Sequence, residues 1–260
     1  TAFDMDGLAL VAGLGMPWIK IPSGDLTWGE MLIAAARVGP PLAVSTGMAT
    51  LDEVRQALAL IAWGRMRSDL PPDLETALAA FDTEAARASL KGQVVLLHCT
   101  TQYPAPVSAV NLRAMDTLGE TFGLPVGYSD HTLGLSVPIA AVARGAVMVE
   151  KHFTLSRDRQ GPDHAASLEP DELTAMVHAI RDVEQALGRP VKAPAPEEMA
   201  NRIVARRSLV ATRPVRAGEV WAPDMVTAKR PADGIDPHAA FALYGGVAKR
   251  DYQPDEAIEP

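Results

Sequence analysis

The stretch Tyr128-Ser129-Asp130-His131-Thr132 closes an apolar run that begins at Pro125, and Glu150-Lys151-His152-Phe153-Thr154 closes another that begins at Val147. Two short apolar runs, each ending in a histidine and separated by an amphipathic stretch from Leu135 to Arg144, read as consecutive parallel strands joined by a helix. If such strands end side by side, their imidazoles can meet at one metal ion; the alternative for each is a buried, hydrogen-bonded ring near a helix start. The same texture continues outward. Trp18 to Pro22, Leu42 to Ser45 and Val94 to His98 read as further strands, and Met31 to Val38, Leu51 to Trp63, Leu112 to Phe122 and Pro170 to Leu187 as helices. The alternation gives an α/β fold around a parallel sheet of about five strands. The pattern breaks over 65–90, expected as a surface insertion with one short helix. Residues 189–205, rich in Pro, Ala and Glu, read as a linker, and 206–260 as a separate small module of short β pieces punctuated by Gly and Pro.

Composition sets the outer limits. A chain of 260 residues with 48% hydrophobic content can bury a large core and divide into one large and one small domain. No apolar run approaches the roughly 20 residues a membrane-spanning helix needs, and the first residues lack the basic region of a signal peptide, so no membrane association and a cytoplasmic location are expected. The single cysteine, Cys99, excludes an intrachain disulfide and a thiolate-rich zinc site. A net charge of −8 argues against nucleic acid as a partner. An anionic small ligand would need cations placed locally.

The segments following the strands carry the chemistry. They read Lys20-Ile-Pro-Ser-Gly-Asp25, Ser45-Thr-Gly-Met48, His98-Cys-Thr-Thr-Gln-Tyr-Pro104, Tyr128-Ser-Asp-His-Thr132 and Glu150-Lys-His-Phe-Thr154. Each places Ser, Thr, Lys, Asp or His at the carboxyl end of a strand, where α/β sheets and barrels build their sites. Ser23-Gly24 and Thr46-Gly47 suit an oxyanion or phosphate cradle with Lys20 as a point charge, although Ser and Thr at these places also serve as ordinary helix N-caps. His98, inside an apolar run, reads as a hydrogen-bonded core residue. A site of two histidines, with water, substrate or a carboxylate completing it, suits Mn²⁺ or Mg²⁺ better than structural zinc.

Taken together, Lys-Ile-Pro-Ser-Gly-Asp-Leu, Ser-Thr-Gly-Met, Leu-Leu-His-Cys-Thr-Thr-Gln-Tyr-Pro, Val-Gly-Tyr-Ser-Asp-His-Thr, Glu-Lys-His-Phe-Thr-Leu and Gly-Pro-Asp-His-Ala-Ala-Ser-Leu-Glu-Pro resemble the sialic acid synthase family, in the family's order. The tail, from Ala-Arg-Arg-Ser-Leu-Val-Ala through Lys229-Arg-Pro to Tyr-Gly-Gly-Val-Ala-Lys-Arg, resembles its antifreeze-like (SAF) domain. The resemblance implies a TIM barrel over 1–188 joined to the small β-rich domain. It also implies an enzyme that forms a carbon–carbon bond between phosphoenolpyruvate and N-acetylmannosamine or a related N-acyl aldose, giving a nonulosonic acid and phosphate. Legionaminic or pseudaminic acid synthase is the alternative within the family, and an inactive fragment or non-catalytic binding relic the alternative outside it.

By position, the resemblance assigns phosphate contacts to Lys20, Ser45, Thr100 and Thr101, with Ser23, Tyr103 and Ser129 nearby, and a divalent metal to His131 and His152. Asp25 aligns with a carboxylate that handles the attacking water, and Glu150 precedes the metal turn; either could instead be an ion-pair partner of a neighbouring cation. Asp163 matches a contact to sugar hydroxyls. Arg230 matches an arginine that reaches the N-acyl group from a partner subunit, implying a domain-swapped homodimer; otherwise it is a solvated surface charge. Against an eight-stranded family barrel, the first two strands lack a counterpart here. The chain is therefore expected to be part of a longer gene product, unstable and inactive by itself, because five strands leave two unpaired edges.

Overall fold

The computed structural model describes residues 1–66 and 73–259. Strands β1 (Ile19–Ile21), β2 (Leu42–Ser45), β3 (Val94–Cys99), β4 (Val126–Asp130) and β5 (Val149–Lys151) pair in parallel in chain order, as consecutive staves of a βα barrel wall. Their register is set by pairs such as Lys20↔Ala43, Ser45↔Leu97, Cys99↔Ser129 and Ser129↔Glu150. Helix α1 (Met5–Gly13) precedes β1; α2 (Gly29–Val38), α3 (Leu51–Arg65), α4 (Leu74–Phe81), α5 (Glu84–Leu90), α6 (Ala114–Phe122) and α7 (Ser136–Ala143) run between the strands, and α8 (Pro170–Leu187) follows β5. Parallel strands covered on both faces need near-continuous apolar runs, and β2 and β3 are of that kind.

Alternation along each strand sorts the side chains. Ile19, Ile21, Leu42, Val44, Leu96, Val126 and Tyr128 pack outward against the helices, where Met31, Leu32, Leu58 and Ile61 meet them. On the other face, Ala43, Val95 and Leu97 form a small apolar cluster with Met148. The odd–even pattern thus sends Lys20, Ser45, Ser129 and Glu150 to the inner face. Ile61 is fully buried on α3. Shortening it to valine should cost about 0.5–1.5 kcal/mol in urea unfolding, with an unchanged slope; no loss would show that this face of α3 repacks freely.

Two expectations need correction. The 65–90 insertion carries two helices, α4 and α5, whose Ala77, Phe81, Ala86 and Leu90 belong to the main core, so it is packed structure and not surface elaboration. Residues 67–72 of that stretch lie outside the described residues. The 189–205 stretch, expected as linker, contains helix α9 (Met199–Ala205) and groups with the second of two compact units, Arg189–Pro260, the first being Thr1–Gly188. Helix α1 carried no periodic signal, because Met5-Asp-Gly-Leu-Ala-Leu-Val-Ala-Gly13 is apolar on nearly every side; Asp4 caps it by accepting from the Gly7 N–H.

In the second unit, β6 (Ser208–Ala211) and β7 (Val226–Lys229) form an antiparallel pair, followed by the single-turn helix α10 (Ala240–Leu243). Single bridges Val215↔Tyr252, Val220↔Val247 and Val210↔Ala257 extend the network. A small core of Leu209, Val215, Trp221, Met225, Tyr252 and Ile258 holds it, with Trp221 edge-on to Tyr252 at 5.4 Å between ring centroids.

Candidate active site

Inner-face side chains at the carboxyl ends of all five strands line one cavity of about 460 Å³. Its walls include Lys20, Ser23, Asp25, Ser45, Thr101, Tyr103, Ser129, His131, Glu150, His152 and Asp163. The strands supply Lys20, Ser45, Ser129 and Glu150 by parity; the loops just past them supply the rest. Of the first-unit residues singled out for the site, Thr100 is placed otherwise. The Thr100 hydroxyl donates to the Ala109 carbonyl and is turned from the cavity, because Thr101 has the inward parity of Cys99. Arg230 lies in the second unit, where its Nε donates to the Ala205 carbonyl.

One wall is a hydroxyl cradle. Gly47 N–H donates to Ser23 Oγ at 3.0 Å, and a Cβ on Gly47 would stand 2.3 Å from Thr101 Oγ1 and 2.8 Å from Ser23 Oγ. Ser45 Oγ, in a side chain 1% exposed, has no hydrogen-bond partner among the described residues. A buried hydroxyl left unpaired beside two more hydroxyls and a lysine suits an anion that supplies acceptors. Lys20 Nζ lies 2.7 Å from Glu150 Oε1, which also accepts from Ser129 Oγ at 2.9 Å. Lys20 therefore arrives already paired, and Glu150 holds both donors toward the cavity.

Beside the cradle, joined to it through Cys99, stands an imidazole pair. The rings of His131 and His152 stand edge to face with centroids 5.3 Å apart, and Tyr103 packs against both, at 4.1 and 5.4 Å. His131 Nδ1 lies 2.8 Å from the Thr100 carbonyl oxygen, which makes Nδ1 the protonated nitrogen and leaves Nε2 with its lone pair free. His152 Nδ1 faces Asp163 Oδ2 at 3.7 Å. Burial, chiefly, pushes the His152 pKa below its ordinary value and favours the neutral, ligating form; Asp163 opposes that shift. With metal–nitrogen bonds of about 2.1 Å, two imidazoles on one ion have centroids roughly 4.5–6 Å apart, so the pair fits a shared divalent ion. A carbonyl fixing the second nitrogen is the usual support of a ligating histidine. Among the described residues no group of three or more His, Cys, Asp or Glu converges as a metal cage. An ion here would rest on two protein ligands.

Asp25 lines the cavity with Oδ2 buried and without a hydrogen-bond partner among the described residues, and burial raises its pKa. Asp163 has a left-handed backbone, φ 68°, which a residue with a Cβ adopts at a cost. Its loop is pinned by Ser167 Oγ donating to the Asp163 carbonyl at 2.8 Å and by the 2.8 Å contact between Thr154 Oγ1 and His164 Nδ1. His98 faces the helix layer instead, with Nε2 2.7 Å from the Val110 carbonyl oxygen.

A family model described as the NeuB family matches residues 1–192, and a SAF domain model matches 206–260. The chain belongs to the NeuB family. This NeuB-family chain is 38% identical over 258 residues to the N,N'-diacetyllegionaminic acid synthase of Campylobacter jejuni, covering 99% of this chain and 70% of that one. It is 32% identical over 262 residues to the human N-acetylneuraminate-9-phosphate synthase, covering 99% and 66%. Among solved structures, the N-acetylneuraminic acid synthetase of Leptospira borgpetersenii in complex with citrate superposes with a TM-score of 0.63 at 31% identity, over 76% of this chain and 61% of that one. The NeuB-family chain therefore spans about two thirds of the length of these relatives. Its relatives are nonulosonic acid synthases, and no helix among its described residues is long and apolar enough to cross a membrane.

Sequence reasoning missed one lining residue of this NeuB-family site and a buried pair behind it. Cys99 reaches the cavity wall, 3.7 Å from His131 Nδ1 and 3.8 Å from Ser23 Oγ; its parity with Thr101 was the available signal. Asp130 and Lys151 pair on the far side of the same strand ends, and no motif marks them beyond their place beside the two histidines.

Proposed function

We propose that this chain condenses phosphoenolpyruvate with an open-chain N-acyl aldose, forming a nonulosonic acid and releasing phosphate. The observation that carries the reading is one cavity lined both by a hydroxyl cradle with Lys20 and by the His131–His152 pair. Phosphoenolpyruvate brings two anionic groups. Ser23, Ser45 and Thr101 hydroxyls and the Gly47 turn receive the phosphate, while Lys20 and Ser129, already gathered by Glu150, meet the carboxylate. When bound, a divalent ion, Mn²⁺ or Mg²⁺, held by His131 and His152 supplies Lewis acidity at the aldehyde.

The chain's own groups do the remaining work. Tyr103, packed over both imidazoles, excludes water from their outer edge. The enol carbon attacks the aldehyde carbon, which leaves the former enol C2 electron-poor. Asp25 Oδ2 takes the proton of the water that adds there, the former aldehyde oxygen takes up a proton as the new hydroxyl, and the tetrahedral product expels phosphate from its C2–O bond as its C2 hydroxyl gives up its proton to become the keto group. Asp163, held by its braced loop, orients a sugar hydroxyl. Higher identity to a legionaminic acid synthase than to the N-acetylneuraminic acid synthetase of Leptospira borgpetersenii favours a diacetamido, 6-deoxy aldose over N-acetylmannosamine.

The test is phosphate release from phosphoenolpyruvate with Mn²⁺ and either aldose. Release dependent on an aldose, at least tenfold faster with the diacetamido sugar, is expected. Phosphoenolpyruvate bound without release for any aldose would favour a binding relic instead.

A further inference from the structure

The two histidines lie one residue beyond the last paired positions of their strands, Asp130↔Lys151. No ladder bond joins one histidine to the other: the His131 carbonyl accepts from Ala105 N–H, and the His152 carbonyl from Leu168 N–H. Their spacing needs another constraint. Directly behind them, on the helix-facing side of the sheet, Lys151 Nζ lies 2.5 Å from Asp130 Oδ2, with side chains only 2% and 0% exposed. Lys151 Nζ also donates to the Thr132 carbonyl at 2.6 Å. Asp130 Oδ1 accepts from Thr132 N–H at 3.0 Å and from Thr132 Oγ1 at 2.9 Å. The carboxylate and the ammonium thus close a ring of bonds around residues 130–132, with His131 at its apex, and tie that ring to the residue before His152.

We propose that Asp130 and Lys151 are positioning residues that fix the distance between the two imidazoles from behind the sheet, and so tune affinity for the divalent ion. This rests on the reading that His131 and His152 share such an ion. Energetics favour a positional role. A fully buried ion pair gains little over apolar side chains of similar size, since desolvation consumes most of the attraction, so stability alone gives no reason to bury two charges here. Neither side chain lines the cavity, so neither meets a ligand directly. Both flank the pair whose relative placement must hold to a fraction of an ångström for two nitrogens to bind one ion.

The double variant Asp130→Asn/Lys151→Met tests the proposal, because asparagine keeps the turn around His131 while both buried charges go. Mn²⁺ binding is measured by titration, and the ¹⁴N couplings of the bound Mn²⁺ by pulsed EPR. The folded variant is expected to bind Mn²⁺ about 10–100-fold more weakly, the range seen when support of a ligand is removed. Its coupling should fall from two imidazoles to one, and affinity for inorganic phosphate at the cradle should stay unchanged. Parental Mn²⁺ affinity with two-imidazole coupling overturns the proposal. If the double variant does not fold, Lys151→Gln takes its place: glutamine is too short to reach Asp130 and Thr132 together, so a folded protein should lose Mn²⁺ affinity at least threefold, and parental affinity again overturns the proposal. A parent protein that binds no Mn²⁺ overturns the shared-ion reading itself, whatever the variants do.

Discussion

Gly47→Ala is expected to weaken binding of phosphoenolpyruvate and inorganic phosphate by about a hundredfold while leaving the fold in place. The backbone at Gly47 is not in the left-handed region, so alanine is locally acceptable. The obstacle is space: the new methyl would lie 2.3 Å from Thr101 Oγ1, 2.8 Å from Ser23 Oγ and 3.2 Å from Cys99 Sγ. Two of these atoms are hydroxyls on short side chains that escape by rotating away, which costs little stability and removes the donors from the cradle. Hydrogen bonds to a charged group contribute roughly 1.5–3 kcal/mol each, so losing one gives about tenfold or more and losing both at least a hundredfold. Calorimetric titration against both ligands, beside a thermal melt, checks it. An affinity within threefold of the parent would mean that these hydroxyls do not hold the anion.

Asp25→Asn should separate stability from function more sharply than any other single change. Burial of its carboxyl, with one oxygen unpartnered, raises its pKa from the ordinary value of 3.8. The folded state then holds the proton more tightly than the unfolded chain does. The penalty for ionised Asp25 is absent below 3.8, grows as pH rises through the raised folded value, and is complete above it. Asparagine carries no such penalty. The variant should therefore melt higher than the parent at pH 8, with a gain that shrinks as pH falls toward 3.8. Its phosphate release should fall by about 10²–10⁴-fold, as when a positioned general base is removed. A variant that melts lower at pH 8 would deny the desolvation argument, and one that keeps its turnover would remove Asp25 from the chemistry.

Much of this site was legible because the end of an apolar run is a local property. Lys20, Ser45, Ser129 and Glu150 each follow a large apolar residue near the carboxyl end of a strand-like run, where parallel sheets build their sites. The loop residues were harder. Past the strand ends the alternation lapses: adjacent Thr100 and Thr101 looked equivalent, yet one hydroxyl is spent on Ala109 and the other meets the cavity. Asp130 and Lys151 were passed over because each looks like an ordinary strand-end charge; only the register that sets them opposite each other makes them a pair. Helices α4 and α5 escaped for a related reason, since Ala-rich stretches reveal their buried side only when α3 is there to receive it.

By itself the sequence determined the order of the five parallel strands and the helices α2, α3, α6, α7 and α8 that alternate with them, because apolar runs and helical periodicity are local properties. Tertiary structure decided which side chains stand within bonding distance: Lys20 with Glu150, His131 beside His152, Gly47 under Thr101 and Ser23. Those distances depend on register between strands 20 to 130 residues apart, set by the packing of the whole sheet against its helices, and no local stretch of chain carries that information.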